Sequence, residues 1–143
     1  MTLVDAGPII ALVYEADYNH DCCASALGSL QVPLLTSWAV FGEAMHVAGV
    51  LGKKTGSGGK WLAQDAVWRL LDTGAITVAE PTSHLASRMR GLMAKYRDTP
   101  MDLGDASLVA LAEDRAIRRI FTLDSDFTIY RAGKHPFEIV PEI

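Results

Sequence analysis

The chain is poor in the features that mark secreted, membrane-spanning or nucleic-acid-coating proteins. It has only two cysteines, Cys22 and Cys23. As sequence neighbours they are badly placed to bridge distant segments, which argues against a disulfide scaffold and makes a reducing cytoplasm the expected compartment. No apolar run approaches the ~18–20 residues of a membrane span, and no membrane association is expected. The opening Met1-Thr2-Leu3-Val4-Asp5 has no basic leader, so a signal peptide is not expected. Cations are outnumbered, with 13 Lys+Arg against 17 Asp+Glu and a formal net charge of -4, which disfavours a generic basic coat for nucleic acid. Repeats, low-complexity tails and long linkers are also missing. What is present is 143 residues, 50% hydrophobic and 21% charged, enough to close one core. One domain over residues 1–143 is expected, and that apolar content argues against disorder.

Strand-like and helix-like patterns alternate along the chain. Thr2–Asp5, Val32–Thr36, Ala75–Ala79, Arg119–Leu123 and Phe137–Val140 read as short buried strands. Helices are expected from Pro8 to about Tyr14, over His20–Leu30, and from Ser37 as cap to about Leu51. Further helices are expected over Trp61–Leu71 with Gly74 as its stop, from Pro81 to about Tyr96, and over Asp102–Ile117. Strands separated by helices imply a mainly parallel sheet covered on both faces, an α/β three-layer α/β/α sandwich. The glycine-rich stretch Gly49–Lys60 lacks the spacing of a phosphate-binding loop and reads as a flexible connection between helices. Trp61 and Trp68, seven residues apart, are expected in the core.

The informative residues are acids placed where acids are costly. Glu43 is the only charge in the otherwise apolar helix Ser37–Leu51, and a helix apolar all round is expected to be largely buried. Asp5 and Asp124 each follow an apolar strand, which puts them at the carboxyl edge of a parallel sheet, where ligands bind in open α/β folds. Asp126, two residues on, is at least as well explained as a turn residue. Asp102 suits an N-cap, and Asp105 then falls at the third helical position, above Leu108, Val109 and Ala112, so that it looks inward. Two carboxylates ~5 Å apart repel by roughly 3 kcal/mol at an effective dielectric near 20, so four gathered acids need protons, basic partners or divalent cations. Oxygen-only ligands favour Mg²⁺ or Mn²⁺ over Zn²⁺. His20, His46, His84 and His135 show no metal-ligand spacing.

A carboxylate nest holding a hard cation suits hydrolysis of phosphodiesters, because the metal activates water and shields the leaving oxygen. Discounting Asp5, Glu43, Asp102, Asp105, Asp124 and Asp126 turns the net charge from -4 into +2. Lys53, Lys54, Lys60, Arg88, Arg90, Lys95 and Arg97 are then candidate phosphate contacts, each individually weak.

Four segments in order, TLVDAGPIIAL, TSWAVFGEAMH, PMDLGDASLVALAE and IFTLDSDFTIYR, resemble the PIN-domain ribonucleases, and most of all the compact VapC-like toxins of bacterial toxin–antitoxin pairs. The resemblance runs from Thr2 to Arg131. It implies a Mg²⁺- or Mn²⁺-dependent endoribonuclease in which Asp5, Glu43, Asp105 and Asp124 form the acidic quartet. Asp126 would be an accessory metal acid, with Thr122 bonding a carboxylate or water and Asp102 in support. It also implies an RNA substrate, a cognate antitoxin protein as partner, and a homodimer. One departure is Gly7, where the family often carries Ser or Thr; a backbone N–H can stand in for the hydroxyl.

Two other classes share some of these features. A Mg²⁺-dependent phosphoacceptor regulatory module also uses strand-end acids, but it wants paired acids after the first strand and a lysine after a late one, and neither is evident. A PIN-like binding module without catalysis would keep the fold while dispensing with the acid set, which this chain retains.

Overall fold

The computed structural model describes residues 1–142. In chain order the elements are β1 (Thr2–Val4), α1 (Ala6–Val13), α2 (His20–Gly28), β2 (Leu34–Ser37), α3 (Trp38–Lys53), α4 (Gly59–Asp72) and β3 (Ile76–Ala79). These are followed by α5 (Ser83–Lys95), α6 (Leu103–Arg115), β4 (Arg119–Phe121), a short 3-10 helix (Ser125–Thr128), β5 (Arg131–Ala132), β6 (His135–Pro136) and β7 (Glu138–Val140). Five strands form one parallel sheet in the order β3-β2-β1-β4-β7. Leu3 on β1 registers with Leu35 on one side and Ile120 on the other. The expected α/β class with a helix-covered parallel sheet is the one observed.

Leu3, Val4, Ile120 and Phe121 are wholly buried, as the centre of such a sheet requires, and the apolar face of α6 (Leu108, Val109, Leu111) packs against the same core. The strand order reverses at β1: β2 and β3 lie to one side, β4 and β7 to the other. Chain segments leaving β1 and β4 at their carboxyl ends therefore diverge and leave a crevice between them.

Several boundaries differ from those expected, each for a local reason. Helix α1 starts at Ala6 rather than Pro8, because the Asp5 carboxylate accepts the Ala6 N–H and caps it. Pro8 then sits at the third helical position, where an amide hydrogen would still lack an intrahelical acceptor. Helix α5 starts after Thr82, whose hydroxyl accepts the Leu85 N–H, and not at Pro81. The strand expected to reach Leu123 ends at Phe121, after which Thr122 turns towards the acids. The 3-10 helix and the β5–β6 hairpin are too short to leave a periodic signal, and the sequence reading missed them.

Two expectations about burial are overturned. Trp61 and Trp68 are 60% and 39% exposed and are not core residues, although Trp68 meets Phe41 edge-on at 5.1 Å. Helix α3 is not buried all round: Gly42, Glu43, His46 and Val50 face outward, so Glu43 is only partly desolvated. The glycine-rich stretch is also different. Only residues 54–58 connect; Gly49 and Gly52 belong to α3 and Gly59 to α4. The two helices cross at Gly52 and Gly59, where a Cβ on either would run into the other's carbonyl. Glycine there is a packing requirement, since no side chain fits between the backbones.

Adding a methyl group at this crossing is expected to cost about 1–3 kcal/mol, the usual range for overpacking. Urea denaturation of Gly59→Ala should show that loss. Gly28→Ala, at a helical site with open space around it, should be neutral or slightly stabilising.

Candidate active site

Asp5 and Asp124 leave the carboxyl ends of β1 and β4 on either side of the crevice, and Asp105 enters it from the first turn of α6. One carboxylate oxygen from each of these three lies within 4.8 Å of the others. Glu43 on α3 and Asp102 line the same hollow of about 290 Å³. The Glu43 oxygens lie outside the tight threesome, but the side chain reaches over it towards Gly104: a Cβ there would stand 3.2 Å from Glu43 Oε2. Asp126 does not line the hollow. Its N–H donates to Asp124 Oδ1 at 2.9 Å, in the turn role that its position suggested.

Each acid is held by the backbone around it. Asp5 Oδ1 accepts the Ala6 N–H at 2.8 Å, and Oδ2 accepts the Thr122 hydroxyl at 2.7 Å. The same Thr122 oxygen accepts the Asp124 N–H at 3.0 Å, so one fully buried threonine ties the two strand ends together. Asp102 caps α6 by accepting the Asp105 N–H at 2.7 Å, and Asp105 Oδ2 returns the bond by accepting the Asp102 N–H at 3.3 Å. This reciprocal capping box fixes Asp105 at the helix N-terminus, where the dipole favours a negative charge.

Tyr130, which the sequence reading missed, backs this arrangement. Its hydroxyl lies 3.2 Å from the Thr99 carbonyl and 3.4 Å from Asp105 Oδ2, as a donor to either. Its wholly buried ring packs edge-on against Tyr96 and Phe127. Only tertiary contact links these residues. Gly7 lines the hollow too, and a Cβ on it would only touch Leu123 at 3.4 Å, so the departure to glycine is not forced by space.

The electrostatics follow from burial and crowding. Desolvation raises the Asp5 carboxyl above its ordinary value, although the bonds from Thr122 and Ala6 pull the other way. Asp105 is pushed up to about 7, first by burial and then by the Asp102 charge. Glu43 is raised by partial desolvation and by the facing charges of Asp102, Asp5 and Asp124. No lysine or arginine lines the hollow to offset this repulsion. Three convergent carboxylates with free lone pairs and no thiol or imidazole fit a hard divalent cation of the Mg²⁺ or Mn²⁺ type. Among the basic residues singled out from sequence, Arg88 is not free for phosphate: its guanidinium makes a two-pronged bond to Glu113 at 2.7 and 2.9 Å.

An α/β sheet with an acidic, cation-suited centre at its reversal point is of the class that can carry metal-assisted phosphoryl chemistry. The PIN domain model matches residues 2–133, and the chain belongs to that family. Among solved structures, the fold is similar to that of VapC20 of Mycobacterium tuberculosis, described as a sarcin–ricin loop cleaving toxin. The two share a TM-score of 0.78 and 19% sequence identity, covering 90% of this chain and 94% of that one. No curated protein matches the sequence.

Three measurements test this geometry. Thr122→Val, which frees both strand ends, should weaken Mn²⁺ binding about 10–100-fold, as loss of a ligand-orienting bond generally does; the Mn²⁺ dependence of the melting temperature reads it. Gly104→Ala should leave the metal-free protein as stable or more so, because alanine favours helix, while displacing Glu43 and weakening Mn²⁺ binding. For the metal-free protein, folded-state carboxyl values above the unfolded ones mean that the unfolded chain gives up these protons first. Stability should therefore fall as pH rises from about 4 through about 7. Asp105→Asn should flatten that fall in a series of thermal melts.

Proposed function

We propose that this PIN-domain protein is a metal-dependent endoribonuclease and serves as the toxin of a toxin–antitoxin pair. The convergence of Asp5, Asp105 and Asp124 within 4.8 Å at the reversal point of the sheet carries this reading. The cation is Mg²⁺ or Mn²⁺, held by these three with Glu43 completing the quartet. When bound, it supplies Lewis acidity that activates water and offsets charge on the phosphate.

The protein's own residues set the stage for that chemistry. Thr122 holds Asp5 and Asp124 at a fixed separation, and the capping box with Asp102 holds Asp105. Asp126 orients Asp124 through its backbone N–H, a contact that uses no carboxylate of its own, and its side chain stays outside the hollow. Glu43 is exposed and also lines the hollow, so it can reach a bound cation from the solvent side. The Gly7 N–H belongs to the first turn of α1 and, with the Cβ absent, a phosphate oxygen can approach that backbone closely. No protein nucleophile is needed, and no serine, threonine, cysteine, lysine or histidine lines the hollow.

The substrate is RNA, the partners are a cognate antitoxin and a second copy of the chain, and the compartment is the cytoplasm. No helix of the described residues is long and apolar enough to cross a membrane. VapC20 is described as cleaving the sarcin–ricin loop, which makes a folded RNA element a sensible first substrate. The phosphoacceptor alternative has no lysine at the hollow to support it.

Asp5→Asn should lower the rate of RNA cleavage in Mn²⁺ by at least about 100-fold, the scale of losing one preorganised electrostatic group, while the far-ultraviolet spectrum stays unchanged. Cleavage by the purified variant at the wild-type rate would overturn the assignment.

A further inference from the structure

The acids gather at the carboxyl edge of the sheet; the opposite edge carries an unpaired cluster of cations. The turn from α6 into β4 reads Arg115-Ala116-Ile117-Arg118-Arg119. Ile117 is buried and anchors the turn, while its arginine neighbours stay exposed. Ala116 caps α6 at φ 53, the one non-glycine residue with positive φ among those described.

Two adjoining hollows, of about 600 and 440 Å³, share Ala116, Ile117 and Arg118 in their walls. Arg115 and Arg119 line the larger; Lys134, at the Gly133-Lys134 tip of the β5–β6 hairpin, lines the smaller. Arg119 is paired with Glu138 at 3.3 Å, but among the described residues no carboxylate lies within 4.0 Å of Arg115, Arg118 or Lys134. The α6 C-terminal dipole accounts for Arg115. It does not account for Lys134, which arrives from a separate hairpin.

We propose that this edge is a second RNA-contacting surface that grips the phosphate backbone of a folded RNA whose scissile bond lies at the acidic hollow. Its choice of polyanion rests on the nuclease reading. The separation of the two edges sets the substrate class. From Arg119 to Asp124 is five residues, which at the ~3.3 Å rise of a strand span at most about 17 Å, equivalent to several phosphate steps at ~3.4 Å each along one strand of a duplex. A rigid stem holds its phosphates in place across such a span, whereas a strand of two or three nucleotides offers few phosphates to either edge. The acid-lined hollow repels a polyanion when metal-free, so cations elsewhere must supply the long-range attraction. Among the described residues, Arg115, Arg118 and Lys134 have no carboxylate to release before they do so. They were not among the phosphate contacts expected from sequence, because the hairpin and the turn meet only in the folded chain.

The test is fluorescence anisotropy in EDTA, which prevents cleavage, with a labelled RNA hairpin of about two dozen nucleotides and a labelled single strand of a few nucleotides. Wild type is compared with the triple variant Arg115→Ala/Arg118→Ala/Lys134→Ala across a salt series. The variant should bind the hairpin about tenfold more weakly. Its plot of log affinity against log salt should be shallower by about 2 to 3, since each neutralised phosphate contributes roughly 0.7–0.9 to the slope. The short strand, which offers these cations fewer phosphates, should lose less affinity than the hairpin, with a change in salt slope of no more than about 1, and the Mn²⁺-dependent rise in melting temperature should be unchanged. An unaltered hairpin affinity and slope, or an equal loss for the short strand, would overturn the proposal. Failure of the nuclease reading is read separately: a protein that grips the hairpin through these cations but cuts no RNA in Mn²⁺ loses its proposed activity and keeps this surface.

Discussion

Mutual repulsion among carboxylates forced together at the end of a parallel sheet is the constraint around which this protein is organised. Asp5, Asp105 and Asp124 come within 4.8 Å of one another, with Glu43 and Asp102 lining the same hollow and no cation of the chain between them. Left to themselves such groups would spread into solvent. They are prevented because each is also part of the framework: Asp5 caps α1, Asp102 caps α6, and Asp124 caps the 3-10 helix through the Asp126 N–H. The capping bonds that begin the helices thus hold the acids where they repel. Thr122 adds the decisive cross-link, since a single hydroxyl bonds one acid and accepts from the backbone of another.

The cost of this crowding appears in the acids themselves. Burial and neighbouring charge raise Asp5, Glu43 and Asp105, so the metal-free site leans towards holding protons. A divalent cation bound there would reverse that preference by replacing repulsion with attraction, and would couple metal binding to the stability of the fold. The helical layers serve the same end. Gly52 and Gly59 let α3 and α4 cross backbone to backbone, and Gly104 leaves room for the Glu43 carboxylate beside the first turn of α6. Charge is meanwhile segregated along the strands, acids at the carboxyl edge and unpaired arginines at the other. That polarity would let a chain of net charge -4 accept the polyanionic substrate proposed for it.

Much of this was legible in the chain. The apolar runs before Asp5 and Asp124 are buried central strands, and the Asp102–Asp105 spacing is a reciprocal capping box. Thr122 bonds a carboxylate, a contact implied by the resemblance to the family and not by any local pattern. The failures share one cause. Trp61 and Trp68 have helical spacing, but periodicity says which residues share a face and not whether anything covers it. Helix α3 looked apolar throughout because alanine, glycine and valine are equally at home on an exposed stripe; Glu43 sits on that stripe. The glycines of Gly49–Lys60 suggested a flexible connection, whereas two of them mark the tightest helix crossing.

The sequence by itself determined the alternation of strands and helices, the caps, and which carboxylates stand at strand ends, because each depends on neighbours within a few residues. Tertiary structure alone decided that Asp105 and Glu43 would meet those strand ends, and that Tyr130 would lie behind Asp105. It alone brought Lys134 to the same edge as Arg118. These are contacts between elements far apart in the chain. Their geometry is fixed by the strand order and by how closely the helical layers pack, and no local pattern encodes either.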